Sequence, residues 1–236
     1  MTSDRHKQDT DEIGRRGDVP LRQAAYDSIE ALLNRGALRP GEMVSQRELV
    51  EKTGCTLGAV REAVPRLEAE GLLVTVPQRG LMVPSLDVSF VRDAYQLRRM
   101  IELAAVPDMV ARIPRATLAG WADWHREARA QIAERSANGD DDLSAELQRR
   151  DWAMHESFVG AMGNKLVANV YRVTAIKIRM AVQSRIQVTR NNAKRVIDEH
   201  LAILEALERG DAEATATALA RHIDQSLKLA LGEIAG

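Results

Sequence analysis

A chain of 236 residues is long for one domain and comfortable for two. Its 45% hydrophobic and 28% charged residues are the balance of an ordinary soluble globular protein; with aromatics at only 3%, the core must come from Leu, Ile, Val, Ala and Met, which suits packed helices better than a sandwich of strands. The formal net charge is −1, and from Pro20 to Leu86 eight Lys/Arg balance eight Asp/Glu, which excludes a bulk basic footprint for nucleic acid; any case for DNA rests on where particular arginines sit.

Residues 1–18 are polar and aperiodic, which predicts a disordered tail and no signal peptide. Leu21 to Arg35 places apolar residues at 21, 25, 29, 32 and 33, the spacing of a helix, and Gly36 to Gly41 is a turn. Ser45-Gln46-Arg47-Glu48 is a capping box that opens a short second helix, ended by Thr53-Gly54. Thr56 caps a third helix with the apolar stripe Val60, Ala63, Val64 and Leu67. Leu72 to Val76 and Leu81 to Val83 flank Pro77-Gln78-Arg79-Gly80, which predicts a hairpin. Residues 19–84 are therefore expected to form a winged helix-turn-helix domain. Cys55 is expected to be a buried, unreactive thiol; as the single cysteine it excludes an intrachain disulfide and fits a reducing cytoplasm, the expected location.

From Val88 the pattern is helical throughout, with breaks at Pro114, Asn138 to Asp140, Gly163-Asn164, Thr189 and Gly210-Asp211 dividing residues 88–234 into about six helices. No apolar run approaches the ~20 residues of a membrane helix, so no membrane partner is expected. The fold class is mainly α: a winged helix-turn-helix followed by an all-α bundle.

In a helix-turn-helix the second helix enters the major groove and the first crosses the backbone. Thr56, Gly58 and Arg61 stand at the front of the recognition helix, where Arg61 can offer its guanidinium fork to a guanine edge or a phosphate. Arg47 is placed for a phosphate, and Arg79 with Gly80, at the hairpin tip, for the minor groove. Any one of these arginines alone reads equally well as solvated surface; three in one winged motif favour DNA.

The runs Leu38-Arg39-Pro40-Gly41-Glu42, Arg47-Glu48-Leu49, Val60-Arg61-Glu62-Ala63, Arg66-Leu67-Glu68-Ala69-Glu70-Gly71-Leu72 and Arg79-Gly80 resemble the GntR family of bacterial regulators. The resemblance implies a homodimer on a palindromic operator of double-stranded DNA, with Arg47, Thr56, Arg61 and Gly80 among the contacts. Two positions depart from it. Leu57 replaces an arginine, which removes ~1–3 kcal/mol of base or phosphate contact, and Pro65 lies inside the recognition helix, where an interior proline costs ~3 kcal/mol or more.

In the second domain Asp151 and His155 are four apart on one predicted helix, and His200 and His222 lie mid-helix further on; bundles build metal centres this way when such helices meet. By spacing alone these are as readily satisfied core histidines. Asp151-Trp152-Ala153-Met154-His155, Gly163-Asn164, Glu199-His200, Gly210-Asp211 and Arg221-His222, with Arg98 and Glu102 upstream, resemble the FCD effector domain of the FadR-type branch, the six helices being similar to its VanR-like subgroup. The resemblance implies a divalent ion, zinc ahead of nickel, on Asp151, His155, His200 and His222. It also implies a small carboxylate effector, with Arg98 and Asn192 expected to hold it. Arg98 can instead pair with Glu102 one turn away, and Asn191 and Arg172 are further polar candidates. The function expected is a metabolite-responsive DNA-binding repressor. The alternatives are an effector-binding protein with weakened DNA binding, motivated by Leu57 and Pro65, and a metal-dependent hydrolase, disfavoured because no spare carboxylate lies in register with the metal motif.

Overall fold

The described residues form two compact units that divide between Pro84 and Ser85, in a computed structural model that describes residues 20–134, 141–186 and 190–233. The expected tail at 1–18 and the expected breaks at Asn138 to Asp140 and at Thr189 lie outside the described residues.

The N-terminal unit holds helices α1 (Leu21–Asn34), α2 (Gln46–Thr53) and α3 (Leu57–Ala69) with strands β1 (Met43–Val44), β2 (Val74–Val76) and β3 (Gly80–Met82). The capping box is formed: Ser45 Oγ accepts from the Glu48 amide and Glu48 accepts from the Ser45 amide. Gly54, at φ +71°, ends α2 in the left-handed conformation that glycine adopts without strain. Thr56 then caps α3 by accepting from the Ala59 amide. The core is the predicted one. Ala25, Ile29, Leu32 and Leu33 of α1 are buried, as are Val60, Ala63, Val64 and Leu67 of α3, and the two helices pack together. Leu21, in contrast, is exposed.

The sheet has the order β1-β3-β2, antiparallel throughout, with Val44 opposite Leu81 and Val76 opposite Gly80. β1 was not legible, since two residues carry no alternation. Leu72 and Leu73, read as the start of a strand, are instead buried core residues preceding it. Gly80 has φ +107°, which strains any residue with a side chain, and a Cβ there would also crowd the Val44 carbonyl oxygen of β1 at 3.2 Å.

Among the described residues the C-terminal unit has six helices: α4 (Val88–Arg112), α5 (Arg115–Glu134), α6 (Asp141–Gly160), α7 (Lys165–Ile186), α8 (Arg190–Glu208) and α9 (Ala212–Leu231). Asp87 and Asp211 cap α4 and α9 by accepting from the amides of Phe90 and Ala214. α4 packs on α6, α7 and α9, α5 on α8, and α8 on α9. No described helix is long and apolar enough to cross a membrane.

Both interior prolines sit in unbroken helices, Pro65 in α3 and Pro107 in α4, and both are exposed. Each lost backbone hydrogen bond thus falls on the solvent side. In α3, burial of Val60, Val64 and Leu67 at ~1.5–3 kcal/mol each outweighs the ~3 kcal/mol of an interior proline.

Candidate metal centre and DNA-reading helix

Asp151 and His155 lie one turn apart on α6, His200 on α8 and His222 on α9. All four are buried, and one ligand atom from each lies within 4.8 Å of the others. Asp151 Oδ1 is 2.9 Å from His200 Nε2, 3.6 Å from His155 Nε2 and 3.8 Å from His222 Nε2. His155 Nε2 and His222 Nε2 are 3.2 Å apart.

Each imidazole turns its other nitrogen outward to a partner. His155 Nδ1 is 2.5 Å from Glu102 Oε2, His222 Nδ1 is 2.9 Å from Glu199 Oε2, and His200 Nδ1 is 3.0 Å from His125 Nε2. The carboxylates are themselves held: Glu102 by Arg98 Nε at 2.6 Å and Tyr171 Oη at 2.7 Å, Glu199 by both its oxygens on Arg195. Arg98–Glu102 on α4 and Arg195–Glu199 on α8 are thus the same device, an i,i+4 ion pair that orients a histidine of another helix. All six described helices supply either a candidate ligand or its support.

The electrostatics follow from this wiring. Burial favours the protonated forms of Asp151 and Glu102. The facing imidazoles of His155 and His200 outweigh it for Asp151, holding it well below the usual carboxylate range; the charges and hydrogen bonds of His155 and Arg98 do so for Glu102, holding it down to about 2. Burial opposes charge on His155 too, but Glu102 reverses the direction and raises it. Burial pushes His200 and His222 down, and with the neighbouring His200 it pushes His125 down to about 4.

These residues fit a divalent cation. Carboxylates only accept, so Nδ1 of His155 and of His222 carries hydrogen, and in the neutral rings Nε2 is a bare lone pair. The inward atoms are then a carboxylate oxygen and imidazole nitrogens, with the oxygen 2.9–3.8 Å from the three nitrogens, the separation expected of atoms sharing one ion at bonds of ~2.0–2.2 Å. A single proton on His155 satisfies one pair and leaves His200 Nε2, which is buried and has no aligned hydrogen-bond partner.

A small cavity of about 30 Å³ adjoins the cluster, lined among others by Tyr95, Arg98, Asp151, Trp152, Asn192 and His222. Arg98 makes the Glu102 pair that was its alternative reading, through Nε, while its Nη2 is buried without a hydrogen-bond partner, as is Trp152 Nε1. Asn192 is buried and lines the same cavity. Arg172 bonds Asn169 on its own helix and is not among the lining residues, and the Asn191 side chain lies outside the described residues. A larger open groove of about 960 Å³ over α8 and α9 reaches Arg195 and Glu199 but none of the four ligands. His125, Trp152, Tyr171 and Arg195 were not singled out beforehand. The i,i+4 spacing of Arg195 and Glu199 could have flagged that pair; nothing local marks His125.

In the N-terminal unit Arg47, Thr56, Gly58, Arg61 and Arg79 are exposed and Gly80 half-exposed. Arg61 Nε donates to Gln46 Oε1 at 3.2 Å, linking α3 to the first turn of α2. Among the described residues none of Arg47, Arg61 and Arg79 forms an ion pair, whereas Arg66, Arg99, Arg112 and Arg126 all do. Leu57 is half-buried in the first turn of α3. Cys55 is half-buried rather than buried, its Sγ 3.9 Å from Ser28 Oγ.

Comparison with known proteins agrees with both halves of this description. The family described as bacterial regulatory proteins, gntR family, matches residues 21–83, and the FCD domain, a type often associated with metal, matches residues 93–225. The Nta operon transcriptional regulator of Aminobacter aminovorans is 28% identical over 83% of this chain and 90% of its own. The HTH-type transcriptional regulator YdhC of Bacillus subtilis is 24% identical over 84% and 86%. Among solved structures, McbR/YncC of E. coli has TM-score 0.78 at 18% identity over 92% of this chain and 99% of its own, which shows a shared fold. The relatives are regulators and not enzymes. The chain belongs to the GntR family of bacterial DNA-binding transcription regulators and carries an FCD effector domain.

Proposed function

We propose that this regulator is a homodimeric, metabolite-responsive repressor, in which residues 19–84 read a palindromic operator and residues 88–234 bind a divalent ion and a small carboxylate. Arg47, Thr56, Gly58, Arg61, Arg79 and Gly80 are the assigned DNA contacts, supported by their exposure and by the absence of ion pairs to the three arginines among the described residues. Asp151, His155, His200 and His222 are the assigned metal ligands, with zinc the first candidate and nickel the second. Six helices support the VanR-like subgroup.

The observation that carries the effector reading is the pair of buried, unpartnered donors, Arg98 Nη2 and Trp152 Nε1, on residues lining the cavity beside the cluster. A buried unmet donor costs ~1–3 kcal/mol, and an acceptor oxygen from a ligand removes that cost. A divalent ion on one carboxylate and three neutral imidazoles has positive charge left over, which favours an anion. The small cavity favours a small one, with Asn192 as a further polar contact. Glu102 and Glu199, the carboxylates nearest the ligands, are each committed to an arginine and a histidine. The test is a thermal-shift screen of acetate, lactate, succinate and citrate against the zinc-loaded full chain and its Arg98→Met variant. The reading expects at least one carboxylate to raise the midpoint of the wild type and to lose its effect in the variant; equal shifts in both would contradict it.

The absence of a donor at Leu57 favours weakened DNA binding as a second reading. The unbroken α3 counts against it. Failure to bind its own upstream region at low salt, where phosphate contacts are strongest, would decide in its favour.

A further inference from the structure

His125 is the described histidine that is not a ligand, and it is buried on α5, a helix that supplies no ligand. Its Nδ1 is 2.7 Å from the carbonyl oxygen of Trp121, one turn earlier, and its Nε2 is 3.0 Å from His200 Nδ1. A backbone carbonyl can only accept, so Nδ1 of His125 carries hydrogen. A neutral imidazole has one N–H, so Nε2 of His125 is an acceptor, and the hydrogen between the two rings belongs to His200 Nδ1. His200 Nε2 is then left bare, and it is this atom that lies 2.9 Å from Asp151 Oδ1 with no aligned hydrogen bond.

We infer that His125 is a positioning residue that fixes the tautomer of His200, so that one backbone carbonyl decides which nitrogen His200 presents to the ion. The opposite tautomers would set a lone pair of His125 against the Trp121 oxygen and a hydrogen of His200 in the space enclosed by the four ligands. The other two histidines are oriented by carboxylates, Glu102 and Glu199. His200 is oriented by a neutral ring instead. His125 therefore aligns its ligand without adding negative charge, which leaves the centre more attractive to an anion than a third carboxylate would. The inference rests on the metal reading of the cluster, because an ion takes the Nε2 lone pair that otherwise faces the Asp151 carboxylate oxygen at 2.9 Å.

The test uses the full chain, labelled with ¹⁵N-histidine and zinc-loaded, at neutral pH. Long-range ¹⁵N–¹H correlation should show His125 as the Nδ1–H form and His200 with its hydrogen on Nδ1, held in the bond to His125. His125→Leu should remove the hydrogen-bonded signature of His200 Nδ1–H and weaken zinc binding, read by chelator competition, by roughly 10–100-fold, the usual effect of removing an outer partner. His125→Gln, whose Oε1 can accept from His200, should restore most of both. A wild-type His125 in the Nε2–H form would overturn the inference; so would a folded His125→Leu variant whose His200 signal and zinc affinity are unchanged. If the leucine variant does not fold, the wild-type spectrum and the glutamine variant decide alone. A chain that binds no zinc at all defeats the metal reading and the inference with it, whereas a zinc-binding chain with His125 in the Nε2–H form defeats the inference alone.

Discussion

Glu102 accepts from Arg98, Tyr171 and His155 with no exposed surface of its own, so its negative charge is what makes three other buried polar groups tolerable. Replacing it by Gln keeps the shape and removes the charge. Glu102→Gln should cost ~3–5 kcal/mol of stability, the penalty of leaving a buried Arg98 uncompensated, and weaken zinc binding by ~10–100-fold, as read by denaturant unfolding and chelator competition. The pH dependence has a definite sign. The Glu102 carboxyl is held down to about 2 from an ordinary 4.5. Its contribution is therefore present above about 4.5 and is lost as pH falls from there towards 2. Denaturation midpoints of the metal-free chain should fall across that window, and less so in Glu102→Gln. On the DNA side, Arg61→Ala should lower operator affinity by ~1–3 kcal/mol if it reads a guanine, whereas Arg47→Ala should reduce the salt slope by ~1 with little change in sequence preference.

The helices of this chain were legible because their ends are written locally. Ser45, Thr56 and Asp211 each accept from the amide three residues on, and such caps need no tertiary information. Ser45→Ala should cost ~1 kcal/mol, measured as a lowered unfolding midpoint of the N-terminal unit's signal. β1 could not be read because it exists only through its pairing with β3, a long-range contact. Pro65 reads as a defect in the sequence and is benign in the fold, because which side of a helix meets solvent is set by packing. Pro65→Ala should raise the melting temperature by restoring a hydrogen bond on an already exposed face; an unchanged or lower value would mean that α3 has adapted to the proline. The four candidate ligands are legible from spacing and family resemblance together, and the fold brings them into one cluster. Their supports divide in two: Arg98–Glu102 and Arg195–Glu199 follow the i,i+4 rule, while His125 meets His200 from a helix 75 positions away in sequence and leaves no local trace.

For the molecule as a whole, the described bundle is arranged so that one buried site draws on all six of its helices, with α4 and α7 contributing Arg98, Glu102 and Tyr171. A ligand that alters the position of any one of these side chains therefore acts on the packing of several helices at once, the kind of shared element through which binding at one place can bias another. On the proposed function, occupancy of this site sets affinity for DNA, with a coupling of ~1–3 kcal/mol, or about 5–150-fold. The most direct measurement is fluorescence anisotropy of a duplex from the chain's own upstream region, titrated with the zinc-loaded full chain, with and without each carboxylate that raises its melting temperature. The account predicts that at least one such carboxylate weakens binding within that range, and that Arg98→Met abolishes the effect without abolishing DNA binding. Operator affinity that stays the same with every carboxylate that binds the chain would contradict it.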